Sequence, residues 1–175
     1  RTTDTELLPG FAALHARGKI DHIQVRVIPG ETFRRDIEVI AAAAIPSIVH
    51  APHHGHGVNP CAPAAYDARS LPEIRAHIEE AMSQTFEAAD TLGAKTIIIH
   101  AGWYEPGGRP TAREEFHRFL DRHFDPRLTL ENLPAVFRGR PMLGTTAEEL
   151  VDLADGRIRG FCLDFAHLYC AANYL

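Results

Sequence analysis

Phe161-Cys162-Leu163-Asp164-Phe165-Ala166-His167 closes an apolar run that begins at Ile158 and delivers an acid and, three residues later, an imidazole. A buried strand looks like this when it hands two metal ligands to the space beyond its carboxyl end. The pattern recurs upstream. Strand-like runs over Ser47–His50, Thr96–His100 and Arg127–Glu131 finish on His50, His100 and Glu131. Four apolar runs ending on ligand-type side chains make a repeated arrangement, and the repeat is what points to a shared site.

Between these runs the periodicity changes from two to about 3.6. Residues 7–16 read as a short helix stopped by Gly18, and residues 20–28, with Ile23, Val25 and Val27 alternating, as a strand closed by Pro29-Gly30. A helix is expected over 32–44 before Pro46, with Phe33, Ile37, Ile40 and Ala41 on one side. Ser70-Leu71-Pro72-Glu73 is a capping box with proline in the first turn, opening a helix through Ile74, Ile78, Met82 and Leu92 to Gly93. Thr111-Ala112-Arg113-Glu114 reads as a second capping box, opening a helix to about Phe124. Thr145 or Thr146 caps a last one that Gly156 stops. Residues 51–69, 101–108 and 132–144 are expected to be loops.

Strands alternating with amphipathic helices imply parallel strands joined by right-handed crossovers. An open doubly wound sheet or a (β/α)8 TIM barrel would satisfy this. The barrel is favoured because ligand-type residues end several successive strands, whereas an open sheet gathers its site at one switch point. No GxGxxG or GxxxxGK[ST] follows any strand. A full barrel takes about 250 residues and eight strands. The 175 residues are therefore expected to be a single partial barrel domain, 1–175, with about five strands, one lying ahead of Arg1 and two or so beyond Leu175, or with a partner closing it as an oligomer.

Composition is that of an ordinary globular domain. No apolar run approaches the roughly 20 residues needed to span a bilayer, so no membrane partner is expected and a cytoplasmic location is. Cys61, Cys162 and Cys170 are odd in number without CxxC spacing, which favours reduced thiols. A net charge of −5 argues against a basic nucleic-acid face, although a metal cluster supplies positive charge that residue counting misses.

His50, His100, Glu131, Asp164 and His167 would converge on one barrel mouth, and mixed nitrogen and carboxylate donors suit Zn²⁺, then Mn²⁺ or Fe²⁺. Buried Glu131 and Asp164 would be costly without a cation. His53, His54 and His56 read either as a polar loop or as further ligands or a proton shuttle. Trp103 and Tyr104 could stack on a sugar or base or simply pack. Arg138 and Arg140 could contact phosphate or form a solvated turn.

The motifs resemble endonuclease IV. Cys162-Leu163-Asp164-Phe165-Ala166-His167 with the following small residues and Tyr174 is similar to that family's aspartate and histidine signature. Leu130-Glu131-Asn132 resembles its metal-bridging glutamate, His100-Ala101-Gly102 its His-Pro-Gly motif, and His50-Ala51-Pro52 its third-strand histidine. The resemblance implies the xylose-isomerase-like TIM-barrel superfamily, with two or three Zn²⁺ ions. His50, His100 and Glu131 would hold one, Glu131 and Asp164 a second, and His167 part of a third. It also implies Glu131 as a catalytic residue, metal-assisted hydrolysis of a phosphodiester, and DNA with an abasic site as partner, its damaged nucleotide turned out of the helix. His53, His54, Trp103, Tyr104, Arg138 and Arg140 are the candidate substrate-binding residues. The chain departs from the family where His53-His54-Gly55-His56-Gly57 replaces a DNA-probing loop with tyrosine and apolar residues, and where Ala101 and Leu133-Pro134-Ala135 replace the usual neighbours of the ligands. An alternative on the same barrel is a sugar isomerase or epimerase with one Mn²⁺ or Mg²⁺ and a small sugar substrate. A barrel without catalysis, used for binding, is the third reading.

Overall fold

The computed structural model describes residues 1–65, 69–158 and 160–174. In chain order these form α1 (Leu8–Ala16), β1 (Ile23–Arg26), α2 (Phe33–Ala42), β2 (Ser47–His50), α3 (Leu71–Thr91), β3 (Ile97–Ile99) and β4 (Gly102–Trp103). Then follow α4 (Arg109–Arg122), β5 (Leu128–Glu131), β6 (Val136–Phe137), β7 (Arg140–Leu143), α5 (Ala147–Ala154), β8 (Gly160–Cys162) and α6 (Phe165–Tyr174). Strands β1, β2, β3, β5 and β8 lie side by side in that order, all parallel, which is the arrangement of five consecutive strands of a (β/α)8 barrel.

Alternation within the strands separates packing from chemistry. Val25, Val49, Ile97, Ile99, Leu128 and Leu130 are buried in one cluster with Ile37, Ile74, Ile78, Phe116, Phe119 and Leu153 of the helices. Arg26, His50, His100 and Glu131 fall on the intervening positions and so face the other side, into the barrel. Helix burial follows the expected periodicity: α3 hides Ile74, Ile78, Ala81 and Met82, and its capping box between Ser70 and Glu73 is complete. Thr146, rather than Thr145, caps α5 by accepting from the Glu149 N–H. Cys61, Cys162 and Cys170 are free thiols. Among the described residues no helix is long and apolar enough to cross a membrane.

Several local expectations are corrected. Helix α4 starts at Arg109, ahead of Thr111, and its N-cap is Gly108 with no side-chain hydrogen bond, so Thr111-Glu114 is no capping box. Pro110, set in the first turn, begins the helix there, because its missing N–H costs nothing at that position. Residues 101–108 and 132–144 are not wholly loops: β4, β7 and β6 form a small antiparallel sheet. Its hairpin turns on Arg138 and Gly139, both with positive φ (51° and 79°), the two-residue geometry that matches strand twist. Gly102 is obligatory where it stands, since its φ is 111° and an added Cβ would lie 2.0 Å from Asn59 Oδ1. β8 is not a buried strand: Phe161 is 47% and Leu163 55% exposed, because no described strand pairs with its outer edge. Part of the loop over 51–69 and part of the run feeding β8 lie outside the described residues.

Candidate metal centre

Strand register brings the ligand-type residues to one level. Arg26 pairs with His50, His50 with Ile98, Ile99 with Leu130, and Glu131 with Cys162, so the carboxyl ends of β1, β2, β3, β5 and β8 finish together. Around them lies a cavity of about 360 Å³ lined by Arg26, His50, His53, His54, His100, Glu131, Asp164 and His167, with Gln24, Leu133, Pro134, Phe137 and Met142.

Glu131 is the hub and is buried, at 7% exposure. Its Oε2 lies 3.0 Å from His100 Nε2 and 3.3 Å from His50 Nε2. Its Oε1 lies 3.7 Å from His167 Nδ1, which is 3.8 Å from Asp164 Oδ2. Two compact donor groups result, His50–His100–Glu131 and Glu131–Asp164–His167, in each of which the potential ligand atoms are within 4.8 Å of one another. Burial pushes the Glu131 carboxyl up, but the hydrogen bonds with His100 and then His50 outweigh it and hold it well below the carboxylate range.

Hydrogen bonds around the donors set their tautomers. His50 Nδ1 lies 2.7 Å from the Ala51 carbonyl, which only accepts, so Nδ1 carries the proton. With Nδ1 so engaged, Nε2 is the nitrogen that faces Glu131, 3.3 Å from its Oε2, and a hydrogen bond of this kind from the far ring nitrogen is what orients a metal-ligating imidazole. His167 Nδ1 likewise donates to the Asn132 carbonyl at 2.9 Å, leaving Nε2 as its lone-pair nitrogen. Asn132, 2% exposed, is the residue that sequence reading passed over. Its side chain donates to the Asp164 carbonyl at 3.0 Å and accepts the Asp164 N–H at 2.7 Å, so it ties the end of β8 and the start of α6 to β5.

Histidines of the loop after β2 close one side of the cavity. Burial, then the charge of His100, pushes the His53 ring down to about 2 and the His54 ring to about 4, so both stay neutral. His100 is also held below the usual imidazole range, first by burial, with Glu131 opposing. His77 Nε2 donates to the His56 carbonyl at 2.8 Å and pins the loop to α3.

The other candidate residues lie away from this lining. Trp103 is 3% exposed, packed with Leu133 and Met142, and the Arg140 guanidinium sits 3.8 Å from its ring centre. Asn59 fixes that strand by accepting the Trp103 N–H and donating to its carbonyl, both at 2.9 Å. Tyr104 lines two neighbouring clefts beyond it. Arg138 rests over Phe137, which does line the cavity, and its charge reaches His54. Arg26 and Gln24 are cavity residues that went unrecognised. Their alternation with Val25 and Val27 is the same signal that exposes His50, and the strand's hydrophobic half alone drew attention.

With this geometry in place, the chain can be compared with known proteins. It is 27% identical over 146 residues to a "Probable endonuclease 4" of Mycobacterium leprae (strain TN), a match covering 82% of this chain and 54% of that protein. Among solved structures, a D-tagatose 3-epimerase-like protein superposes with a TM-score of 0.63 at 19% identity, over 87% of this chain and 59% of the other. Endonuclease IV from Thermus thermophilus superposes with a TM-score of 0.60 at 19% identity, over 96% and 61%. The fold is that of a (β/α)8 TIM barrel, which both kinds of neighbour share. No protein-family model matches the chain. It spans about half the length of the mycobacterial relative.

Proposed function

We propose that the chain carries the metal-binding residues of a phosphodiester hydrolase of the endonuclease IV type. The observation that supports this most is the placement of Glu131, with one carboxylate oxygen toward His50 and His100 and the other toward His167. A carboxylate presented in this way would be shared by two cation positions, with His50 and His100 as ligands of one and Asp164 of the other, while His167, its Nδ1 committed to the Asn132 carbonyl, would offer Nε2 to a third. Zn²⁺ suits such imidazole and carboxylate donors. Bound there, the ions would supply Lewis acidity and stabilise negative charge on phosphoryl oxygens. The protein's own part is to hold Glu131 ionised, to fix the His50 and His167 tautomers through Ala51 and Asn132, and to line part of the cavity with the apolar side chains of Leu133, Phe137 and Met142. DNA with an abasic site is the proposed substrate, by likeness to the mycobacterial relative.

The test is to count metals per chain and to assay nicking of an abasic-site oligonucleotide. Two or three zinc ions, with nicking lost in His100→Ala, is the expected result. One exchangeable Mn²⁺ and no nicking would sink the reading. A sugar epimerase with a single Mn²⁺ or Mg²⁺ is the second reading, supported by the net charge of −5 and by the likeness to the epimerase-like structure. Interconversion of ketohexose epimers in the same preparation would decide for it.

A further inference from the structure

The loop after β2 sets a second cluster of donors against His100. His100 Nε2 is engaged with Glu131, while its Nδ1 is buried and has no hydrogen-bond partner among the described residues. His54 Nδ1 is buried and unpartnered in the same sense. The His53 ring stacks on His100 with centroids 5.2 Å apart and approaches His54 at 4.8 Å. Its one hydrogen bond among the described residues is the 3.2 Å contact that Nδ1 accepts from the Gly55 N–H, a local cap on a single turn that a stronger partner can displace. One ligand atom from each of His53, His54 and His100 lies within 4.8 Å of the other two. Buried nitrogens without partners are costly to keep. A cation is the partner that would satisfy three converging imidazole lone pairs at once.

We propose that His53, His54 and His100 form a divalent-cation site of their own, made of imidazole nitrogens alone and distinct from the carboxylate centre at Glu131. The endonuclease IV resemblance assigns no ligand role to His53 or His54, and the site holds whichever reaction the Glu131 centre performs. Its donor set selects Zn²⁺, Ni²⁺ or Cu²⁺ over Mg²⁺ and Mn²⁺, which prefer oxygen. His100 belongs to both centres. A neutral imidazole has a single lone pair, so filling both centres together requires His100 to release its remaining N–H proton to solvent and bridge the two ions as imidazolate. Uptake of the ion at His53 and His54 is then accompanied by one proton released.

Calorimetric titration with Ni²⁺ of the chain given only the two equivalents of Zn²⁺ that fill its Glu131 centre, in buffers of different ionisation enthalpy, tests this. One further equivalent of Ni²⁺ with about one proton released is expected, and a His53→Phe/His54→Leu variant loses it. A Glu131→Gln/Asp164→Asn variant retains one equivalent of Ni²⁺ although its carboxylate centre is gone, so the two centres fail separately. His54→Gln keeps the ring's approximate size and polarity, and serves if the double variant does not fold. At least a tenfold weaker Ni²⁺ equivalent is expected of it. Ni²⁺ binding unchanged by His54→Gln, or equal in the double variant and the unaltered chain, overturns the site.

Discussion

The two halves of the ligand row are built differently. His50, His100 and Glu131 are 2%, 9% and 7% exposed, lie at the ends of adjacent interior strands, and are placed by parallel register alone. The side chains of Asp164 and His167 are 35% and 28% exposed, one after the edge strand and the other in the first turn of α6. Nothing in the sheet register fixes that second pair. Asn132 does, through two hydrogen bonds to the Asp164 backbone and one from the His167 ring. The inner half is preorganised by the core, and the outer half by one residue, through its side-chain amide at Asp164 and its backbone carbonyl at His167.

The largest effect is expected where the halves meet. Glu131→Gln removes the shared anion and leaves two imidazoles facing a neutral amide. Zn²⁺ held at the carboxylate centre should fall from two ions to less than one, with affinity lost by more than the roughly 10–100-fold typical of changes outside the ligand set. Metal analysis after dialysis reads this, and retention of both ions would show that the halves do not share Glu131.

Next in size is Asn132→Ala. It should weaken one zinc by roughly 10–100-fold and spare the other, because only Asp164 depends on the side-chain amide. Competition with a chromophoric chelator separates the two. Equal weakening of both ions would mean that Asn132 supports the whole β5 end and would erase the distinction drawn between the halves.

The smallest effect is on the metal-free chain and its pH dependence. Folded His53 and His54 titrate near 2 and 4 against an ordinary 6.5, first because burial disfavours their charged forms. The unfolded chain therefore binds more protons below pH 6.5, and stability is lost progressively as pH falls from about 6.5 toward 4. Glu131, depressed when folded, acts in the same direction below its ordinary carboxylate range. Thermal melts across this window should show Tm declining with acidity, and His53→Phe/His54→Leu should flatten the decline. Stability that is constant from pH 6.5 to 4.5 would contradict the neutral, buried state of these rings.

Much of the inner half was legible in the sequence. Short runs such as Ile97-Ile98-Ile99-His100 and Leu128-Thr129-Leu130-Glu131 declare both a buried strand and what its last residue carries. The outer half was legible only as residue types: that Asp164 and His167 hang on Asn132 depends on chain entering from 32 residues away, which no local pattern records. The hairpin over 136–143 was missed because its turn is Arg-Gly rather than Asn-Gly, and because Pro141 lies within a strand. β8 was misread as buried because apolar periodicity reports the side chains of a strand and is silent on whether another strand covers them. The convergence of His53 and His54 on His100 arises from a loop without period, so it too is visible only in three dimensions.

The central claim is that Glu131 joins two cation positions. Crystals of the chain grown with Zn²⁺ and measured at the zinc absorption edge test it directly. The account predicts anomalous peaks on both sides of the Glu131 carboxylate, one within bonding distance of His50 and His100 and the other of Asp164. A single peak bound by one carboxylate oxygen, or none near Glu131, would contradict it.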